Sequence, residues 1–419
     1  METRQIPTST PGAANRPGVA WKWDIDILQN LNYDAHVPQE IDAFYCDKDG
    51  RLWLRLELRW TDQEFANTDQ YTPLARGHTL LSTDGGLTWD FTDTPWPGPR
   101  DARAVLKDGT VIEIGGNGYI RYPRSEIDRL KREGHLVKDL GEKEGYCAIL
   151  YDMWMRRSAS GSKTWIEKPI HPQFGFFAYW VTFGGVNVMP DETVIAFGYG
   201  KREVEGPRST YVVRTKDRGD TWEIIQIADG HLAPTDSGFT ECFPVVFPDG
   251  RIFVMLRTEL GVHAYCVRSI DAGVTWSRPE KTPVRAKHPL VTRVWDEAIV
   301  CTYPRRFARP YGIRACLTSD LGRTWSDEVV LRDDFEISDG LSWSMTQGLP
   351  DGTLFTVMNG KKYIEKGVPR SYVFGSRWTR DFRKPTGPEQ PVPPRAPRIN
   401  TDREGKSPWW ERGGSAGPV

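Results

Sequence analysis

One eight-residue pattern, S/T-x-D-x-G-x-T-W, returns four times along a chain of 419 residues. It runs from Ser82 to Trp89, Thr215 to Trp222, Ser269 to Trp276 and Thr318 to Trp325. A fifth copy, Ser158 to Trp165, carries Ser160 and Ser162 in place of the Asp and the Gly. A motif recurring at near-constant intervals signals a repeat architecture. The chemistry of the motif reads as a hairpin turn. The Asp side chain accepts backbone N–H groups, as in Asx-turns, the Gly supplies an unusual backbone angle, and the Trp packs between neighbouring units.

The box tryptophans stand at 89, 165, 222, 276 and 325, and Trp378 follows in a unit without a box. Each box closes a unit of similar grammar: a strand, a tight turn, a second strand, a loop, a third strand, the box, and a fourth strand. The tight turns are Asp49-Gly50, Asp108-Gly109, Asp249-Gly250 and Asp351-Gly352; Asp191-Glu192 and Trp295-Asp296-Glu297 stand in for the other two. Six units of four strands predict an all-β, six-bladed β-propeller over residues 19–382. A strand near Trp21–Leu28 is expected to join the last blade. The longest interval between boxes holds an insertion in blade two. There, Ser125-Glu126-Ile127-Asp128 resembles a capping box opening a short helix, with Gly134 at its end. Residues 1–18 and the Pro-rich 383–419 read as extensions, the latter bearing Trp409 and Trp410.

Charge and composition exclude several classes. With 55 Lys+Arg against 56 Asp+Glu the net charge is −1, which argues against a general nucleic-acid binder. No apolar run approaches the roughly 20 residues that span a bilayer, so no membrane segment is expected. The N-terminus shows no apolar signal region. None of the six cysteines forms a C-x-x-C pair, so they read as buried thiols of a reducing compartment. A cytoplasmic protein is expected, with a secreted mature form as the alternative. There is no H-E-x-x-H and no close His pair, and no nucleotide loop, so neither metal nor cofactor is expected.

In antiparallel blades the tight turns and the boxes share one face. The opposite face, with its more varied loops, is expected to carry the site. Starts of first strands place Arg100, Asp101, Arg103, Tyr179, Trp180, Glu241 and Trp343 there. Ends of second strands add Lys201, Arg202, Arg257, Tyr303, Arg305 and Arg306. Starts of third strands add Arg76, His78, Tyr146 and Arg314. The insertion, with Tyr119, Arg121, Tyr122 and His135, would overhang this face. A cationic face on a neutral chain favours an acidic ligand, such as a carboxylated or sulfated sugar.

At this point the sequence resembles the sialidase (neuraminidase) superfamily, whose Asp-boxes match these motifs. The resemblance spans residues from about 40 to 380. Its most specific part runs from Thr240-Glu241-Cys242 through Pro248-Asp249-Gly250-Arg251 to Leu256-Arg257, with Tyr311-Gly312-Ile313-Arg314 before a later box. It implies that Arg257 and Arg314 grip a sugar carboxylate, and that Glu241 matches the glutamate that polarises the family's nucleophile. Three positions depart. Glu40-Ile41-Asp42-Ala43-Phe44 lacks the family's first arginine. Pro73 to His78 lacks the acid/base Asp, although Asp69 is near. Gly340 to Ser344 offers Trp343 where the nucleophilic Tyr belongs.

Three functions follow. The first is a glycoside hydrolase cleaving a terminal acidic sugar. Glu241 is its first carboxylate, Asp101, Asp69 or Asp339 the second, Arg257, Arg314 and Arg103 orient the substrate, and Trp343 forms a stacking wall. The second is a polysaccharide lyase on a uronate linkage, with His78, His288, Tyr119 or Tyr303 as base. The third is a non-catalytic glycan- or protein-binding propeller.

Overall fold

The computed structural model describes residues 21–30, 37–59, 76–98, 103–115, 119–135, 137–142, 145–150, 154–162, 164–169, 178–179, 185–201, 206–259, 261–295, 297–335, 338, 341, 343–365, 368–379 and 398–399. They fall into two compact units. One draws on the chain up to Gly98, on Thr292–Thr318 and on Trp325 onward; the other on Pro99–Val291 and Ser319–Thr324.

Six antiparallel blades account for nearly every strand, as the six-bladed β-propeller requires. In the first unit, blade one is built from Val37–Cys46, Leu52–Arg59, Arg76–Ser82 and Asp90–Thr92. Blade five takes Leu290–Arg293, Ile299–Arg305, Tyr311–Thr318 and Val329–Phe335. Blade six takes Ser344–Gly348, Leu354–Glu365 and Val368–Thr379, and its outer strand is Trp21–Asn30 from the other end of the chain. The expected union of first and last segments is thus present, with Lys22 opposite Trp378 and Ile25 opposite Gly375. Arg398–Ile399 adds two residues in parallel to Gln29 and Asn30.

In the second unit, blade two takes Arg103–Val105, Val111–Gly115, Trp154–Ser158 and Ile166–Pro169. Blade three takes Ala178–Tyr179 and Asn187–Val188 on one side of Val194–Gly200, then Ser209–Thr215 and Glu223–Ala228. Blade four takes Cys242–Val246, Ile252–Leu256, His263–Ser269 and Glu280–Arg285. A central strand such as Val194–Gly200 is buried along its whole length. Alternate side chains go to opposite faces: Val194 and Ala196 pack with Ile112, Ile114 and Met155 of blade two, and Ile195 and Phe197 with Ile252, Val254 and Leu256 of blade four.

The boxes fold as their chemistry dictates. In the blade-four box, Asp271 Oδ1 accepts from Ser269 Oγ at 2.8 Å and Thr275 N at 2.9 Å, while Oδ2 accepts from the Thr275 hydroxyl at 2.5 Å. Asp84 and Asp217 repeat this arrangement. The turn needs two successive residues at positive φ: Ala272 at 58° and Gly273 at 78°, Arg218 at 61° and Gly219 at 88°, Leu321 at 58° and Gly322 at 77°. A non-glycine residue there is strained, and the caged Asp holds the turn in place. Burial alone would push the Asp217 carboxyl up, but hydrogen bonds from Thr221 and Thr215 outweigh it and hold it at about 2. Because that is below the ordinary value of 3.8, the contribution to stability is complete above the ordinary value and disappears as pH falls through about 2. Asp217→Asn should therefore flatten the acid limb of a melting-temperature profile and leave a constant deficit at neutral pH.

A second rule emerges from the arginine just before a box. Arg157 Nη1 donates to the carbonyl of Arg218 at 3.1 Å, and Arg268 Nε to that of Leu321 at 3.0 Å. In blade six Arg377 Nη1 donates to Gly85 O at 3.4 Å. Each acceptor is the middle residue of the D-x-G of a neighbouring box, so one blade pins the strained turn of the next. Arg268 is 8% exposed and also holds Glu280 at 2.6 Å. Arg268→Leu should cost about 1–3 kcal/mol, because it leaves the Leu321 carbonyl without its buried donor while exposed Glu280 turns to water; chemical denaturation reads this directly.

The insertion carries the expected short helix and adds strands to it. It is a three-stranded sheet, Tyr119–Pro123, Tyr146–Leu150 and Val137–Asp139, carrying the helix Ile127–Arg132 over its own core of Leu130, Val137, Cys147 and Ile149. Gly134 does end the helix, at φ 87°, its N–H bonding Lys131 O. The capping box is absent: Glu126 is the N-cap and no side chain caps it. Tyr146, expected at the start of blade two's third strand, belongs to this added sheet. That third strand is Trp154–Ser158, paired to Val111–Gly115. A strand of matching length and apolar pattern inside the insertion disguised the register.

Candidate active site

The first two strands of blade four run antiparallel, with Cys242 opposite Leu256 and Val246 opposite Ile252. The turn between them closes on Gly250 at φ 89°, whose N–H bonds Phe247 O at 3.0 Å. One residue beyond the paired region, the ladder continues: Arg257 N donates to Glu241 O at 2.9 Å, and Thr240 N to Arg257 O at 3.0 Å. This fixes Glu241 and Arg257 side by side at the open end of the blade. The guanidinium Nη1 of Arg257 meets Glu241 Oε1, and both side chains are largely buried.

The third member arrives from the crossover that leaves blade four. His288 is 8% exposed, and its Nδ1 lies 3.2 Å from Glu241 Oε2. The main chain is drawn tight there, with Leu290 N bonding His288 O. Glu241 therefore faces a cation on one oxygen and an imidazole on the other. Burial pushes its carboxyl upward, but His288 and Arg257 more than offset this and hold it below the ordinary carboxylate value. The carboxylate stays ionised at neutral pH and does not serve as a proton donor. Arg257 Nε is a buried N–H with no hydrogen-bond partner among the described residues.

The remaining candidates are placed differently. Arg314 is 1% exposed and belongs to the other unit. Its Nη1 donates to the carbonyls of Ile313 and Arg332, its Nη2 to Pro310 O at 3.3 Å, and its Nε lies 3.4 Å from Glu328. Tyr303, 2% exposed, donates its hydroxyl to Glu328 at 2.7 Å, and burial pushes its phenol well above the usual range. Trp343 is also buried, bracketed by Asn359: its N–H donates to Asn359 Oδ1 at 3.1 Å and its carbonyl accepts from Asn359 N. Arg103 pairs across strands with Glu113, which also holds Arg156. Arg76, His78 and Tyr119 lie on strands, but their side chains are outside the described residues, as are Asp101, Asp69, Asp339, Trp180 and Arg202 altogether. The structure thus unites Glu241, Arg257 and His288. The partners Glu328, Glu113 and Arg156 escaped the sequence reading; only the strand register, which sets Glu113 opposite both Arg103 and Arg156, reveals that cluster. Among the described residues no group of three metal-ligating side chains comes together.

The signature of the BNR repeat-like domain matches residues 152–381. A protein of unknown function from Dyadobacter fermentans has the same fold, with a TM-score of 0.56 at 21% identity, covering 85% of this chain and 97% of that one. More distant similarity extends to the Hadza microbial sialidase Hz136, with a TM-score of 0.44, 17% identity and coverage of 80% and 65%. An alpha-L-arabinanase from Penicillium chrysogenum gives a TM-score of 0.46, 13% identity and coverage of 84% and 97%. No curated protein matches. With more than half its length inside one signature, the chain belongs to the family of BNR repeat-like domains.

Proposed function

We propose that this protein is a carbohydrate-active enzyme, a glycoside hydrolase that removes an acidic sugar from a glycan. The observation that carries the reading is the buried Glu241 carboxylate held between Arg257 and His288. Burying an ion pair against an imidazole is a poor way to stabilise a fold, because desolvation consumes most of the Coulombic gain; such clusters are characteristic of sites that move protons. In this reading Glu241 fixes the tautomer and orientation of His288; His288 Nε2 takes a proton from the attacking water as its oxygen bonds to the anomeric carbon, and the departing glycosidic oxygen takes up that proton as its own bond to that carbon breaks. The unoccupied N–H groups of Arg257 take the sugar carboxylate.

The same dyad supports a second chemistry. Glu241 is held ionised, so the cluster contains a base but no carboxylic acid, and abstraction of a proton next to a uronate carboxylate needs just such a base beside an arginine. Sialylated and uronate-containing oligosaccharides separate the two. Release of reducing sugar without new near-ultraviolet absorbance is the expected result. Absorbance from a new C=C bond would transfer the assignment to a β-eliminating lyase, and no turnover of any acidic glycan would refute both. Arg257→Ala should raise KM at least about tenfold for acidic substrates, the scale of one charge-assisted contact.

A further inference from the structure

The six cysteines are thiols, and two of them face each other. In blade five Cys301 stands directly opposite Cys316 on the antiparallel pair Ile299–Arg305 and Tyr311–Thr318. The others have different ladder partners: Leu52 for Cys46, Tyr122 and Asp139 for Cys147, Leu256 for Cys242, and Met255 and Glu280 for Cys266. Directly opposed residues project from one face of a sheet with their Cα atoms about 4.5–5.5 Å apart. A disulfide needs Cα atoms about 4.4–6.8 Å apart, so the register already meets that demand. It also draws the Cβ atoms from about 4.5–5.5 Å to about 3.5–4.5 Å, an approach of about 1 Å.

The surroundings fix the pair. Val300 and Ala315, on the other face of the sheet, belong to an apolar cluster with Leu354, Met358 and Phe374. On the cysteines' own face the Tyr303 hydroxyl lies 3.4 Å from Cys316 Sγ. Cys301 is 0% and Cys316 2% exposed. Burial, and then Cys316 itself, hold the Cys301 thiol well above its ordinary value. In the finished fold the thiolate is scarce and a small oxidant has no access, so exchange is blocked. The hairpin reaches the same register earlier. Residues 306–310 alone connect its strands, and such local contacts form ahead of the distant ones that bury them.

We propose that Cys301 and Cys316 are a disulfide-forming pair, joined while their hairpin folds in the presence of a small disulfide and then sealed by burial. One cysteine thiolate attacks the S–S bond of glutathione disulfide, giving a mixed disulfide and releasing one glutathione. The second attacks the protein sulfur of that mixed disulfide, forming the Cys301–Cys316 bond and expelling the other glutathione. Two protein thiols are oxidised by two electrons, one small disulfide is reduced, and the two protons leave on the two glutathiones. The pairing is independent of the hydrolase reading.

The full chain is synthesised cell-free with either glutathione disulfide or dithiothreitol present, and remaining thiols are blocked with N-ethylmaleimide in denaturant. Without reduction, trypsin should release residues 294–305 joined to residues 315–323 from most chains made with glutathione disulfide, lighter than the two separate peptides by two hydrogens. Chains made with dithiothreitol and given glutathione disulfide only after folding should yield at least tenfold less of it. Cys301→Ser and Cys316→Ser should each abolish the linked peptide, and Cys266→Ser should leave it. The linked chain should melt at least about 2 °C above the reduced one. A wild type without the linked peptide, or with Cys301 or Cys316 joined to another cysteine instead, overturns the assignment whether or not the serine variants fold. So does an equal yield from chains oxidised only after folding.

Discussion

Replacing Glu241 by glutamine should lower turnover of an acidic glycan by about 10²- to 10⁴-fold, the range general acid–base groups supply. The amide preserves shape but not charge. One side chain loses its counter-ion when the other loses its orienting partner: Arg257 Nη1 faces a neutral oxygen, and His288 Nδ1 loses the anion 3.2 Å away. Some stability should go with it, because removing one partner of a buried pair leaves the other charge uncompensated, at about 3–5 kcal/mol when burial is complete and less here, where both groups retain some exposure. The two effects separate by temperature: assayed well below its melting point, the variant should be folded and slow. The pH profile gives an independent check. The carboxyl is held below its ordinary value of 4.5. The stability it contributes is therefore complete above that value and vanishes as pH falls through the depressed one, and Glu241→Gln should lack this acid-dependent loss. Turnover within about threefold of the wild type would remove Glu241 from the mechanism.

Arg314→Leu should act on the fold. The resemblance to sialidases places this arginine on the substrate; the structure surrounds it with protein. Its removal takes the guanidinium donor from the carbonyls of Ile313 and Arg332, both on buried residues, while the bonds to exposed Pro310 and Glu328 are replaced by water. Two or more buried acceptors left unpaired should cost about 3–5 kcal/mol, a large share of the stability of any domain. Tyr303 provides the second readout. Its hydroxyl is bonded to the same Glu328, so Tyr303→Phe combined with Arg314→Leu should be non-additive, as expected for residues in one network. A variant that melts like the wild type but binds acidic sugar more weakly would restore Arg314 to the ligand.

The repeat made the blades legible because its chemistry is local. An Asp caging its own turn needs nothing beyond four residues of chain, so every box could be read from the sequence; the positive φ of Arg218, Ala272 and Leu321 beside the box glycines appears only in the structure. Asp191-Glu192 was legible as a stand-in for an Asp-Gly turn, and Glu192 takes φ 64° there. Glu241 and Arg257 were legible for the same reason: a short hairpin fixes their register. His288 carried a weaker signal, since only the path of a crossover brings it to Glu241. Tyr303, Arg314 and Trp343 show what pattern cannot say. Trp343 does sit just before its strand, but Tyr303 and Arg314 face each other inside the Ile299–Arg305 and Tyr311–Thr318 ladder rather than at its end, and a strand's true end is not encoded in its periodicity. Tyr146 was misplaced for a related reason: Tyr146–Leu150 has the length and apolar content of a blade strand, and only its partners reveal that it serves a separate small core.

The outer strand of blade six is the earliest strand among the described residues, and its partner is synthesised more than 330 residues later. A nascent polypeptide leaving the ribosome therefore carries Trp21–Asn30 as an orphan β-segment until Val368–Thr379 emerges. Until then its free edge can template pairing with any other extended chain. Chaperone demand during synthesis should consequently fall most heavily on this segment, and premature termination ahead of Val368 should produce aggregates rather than a smaller folded protein.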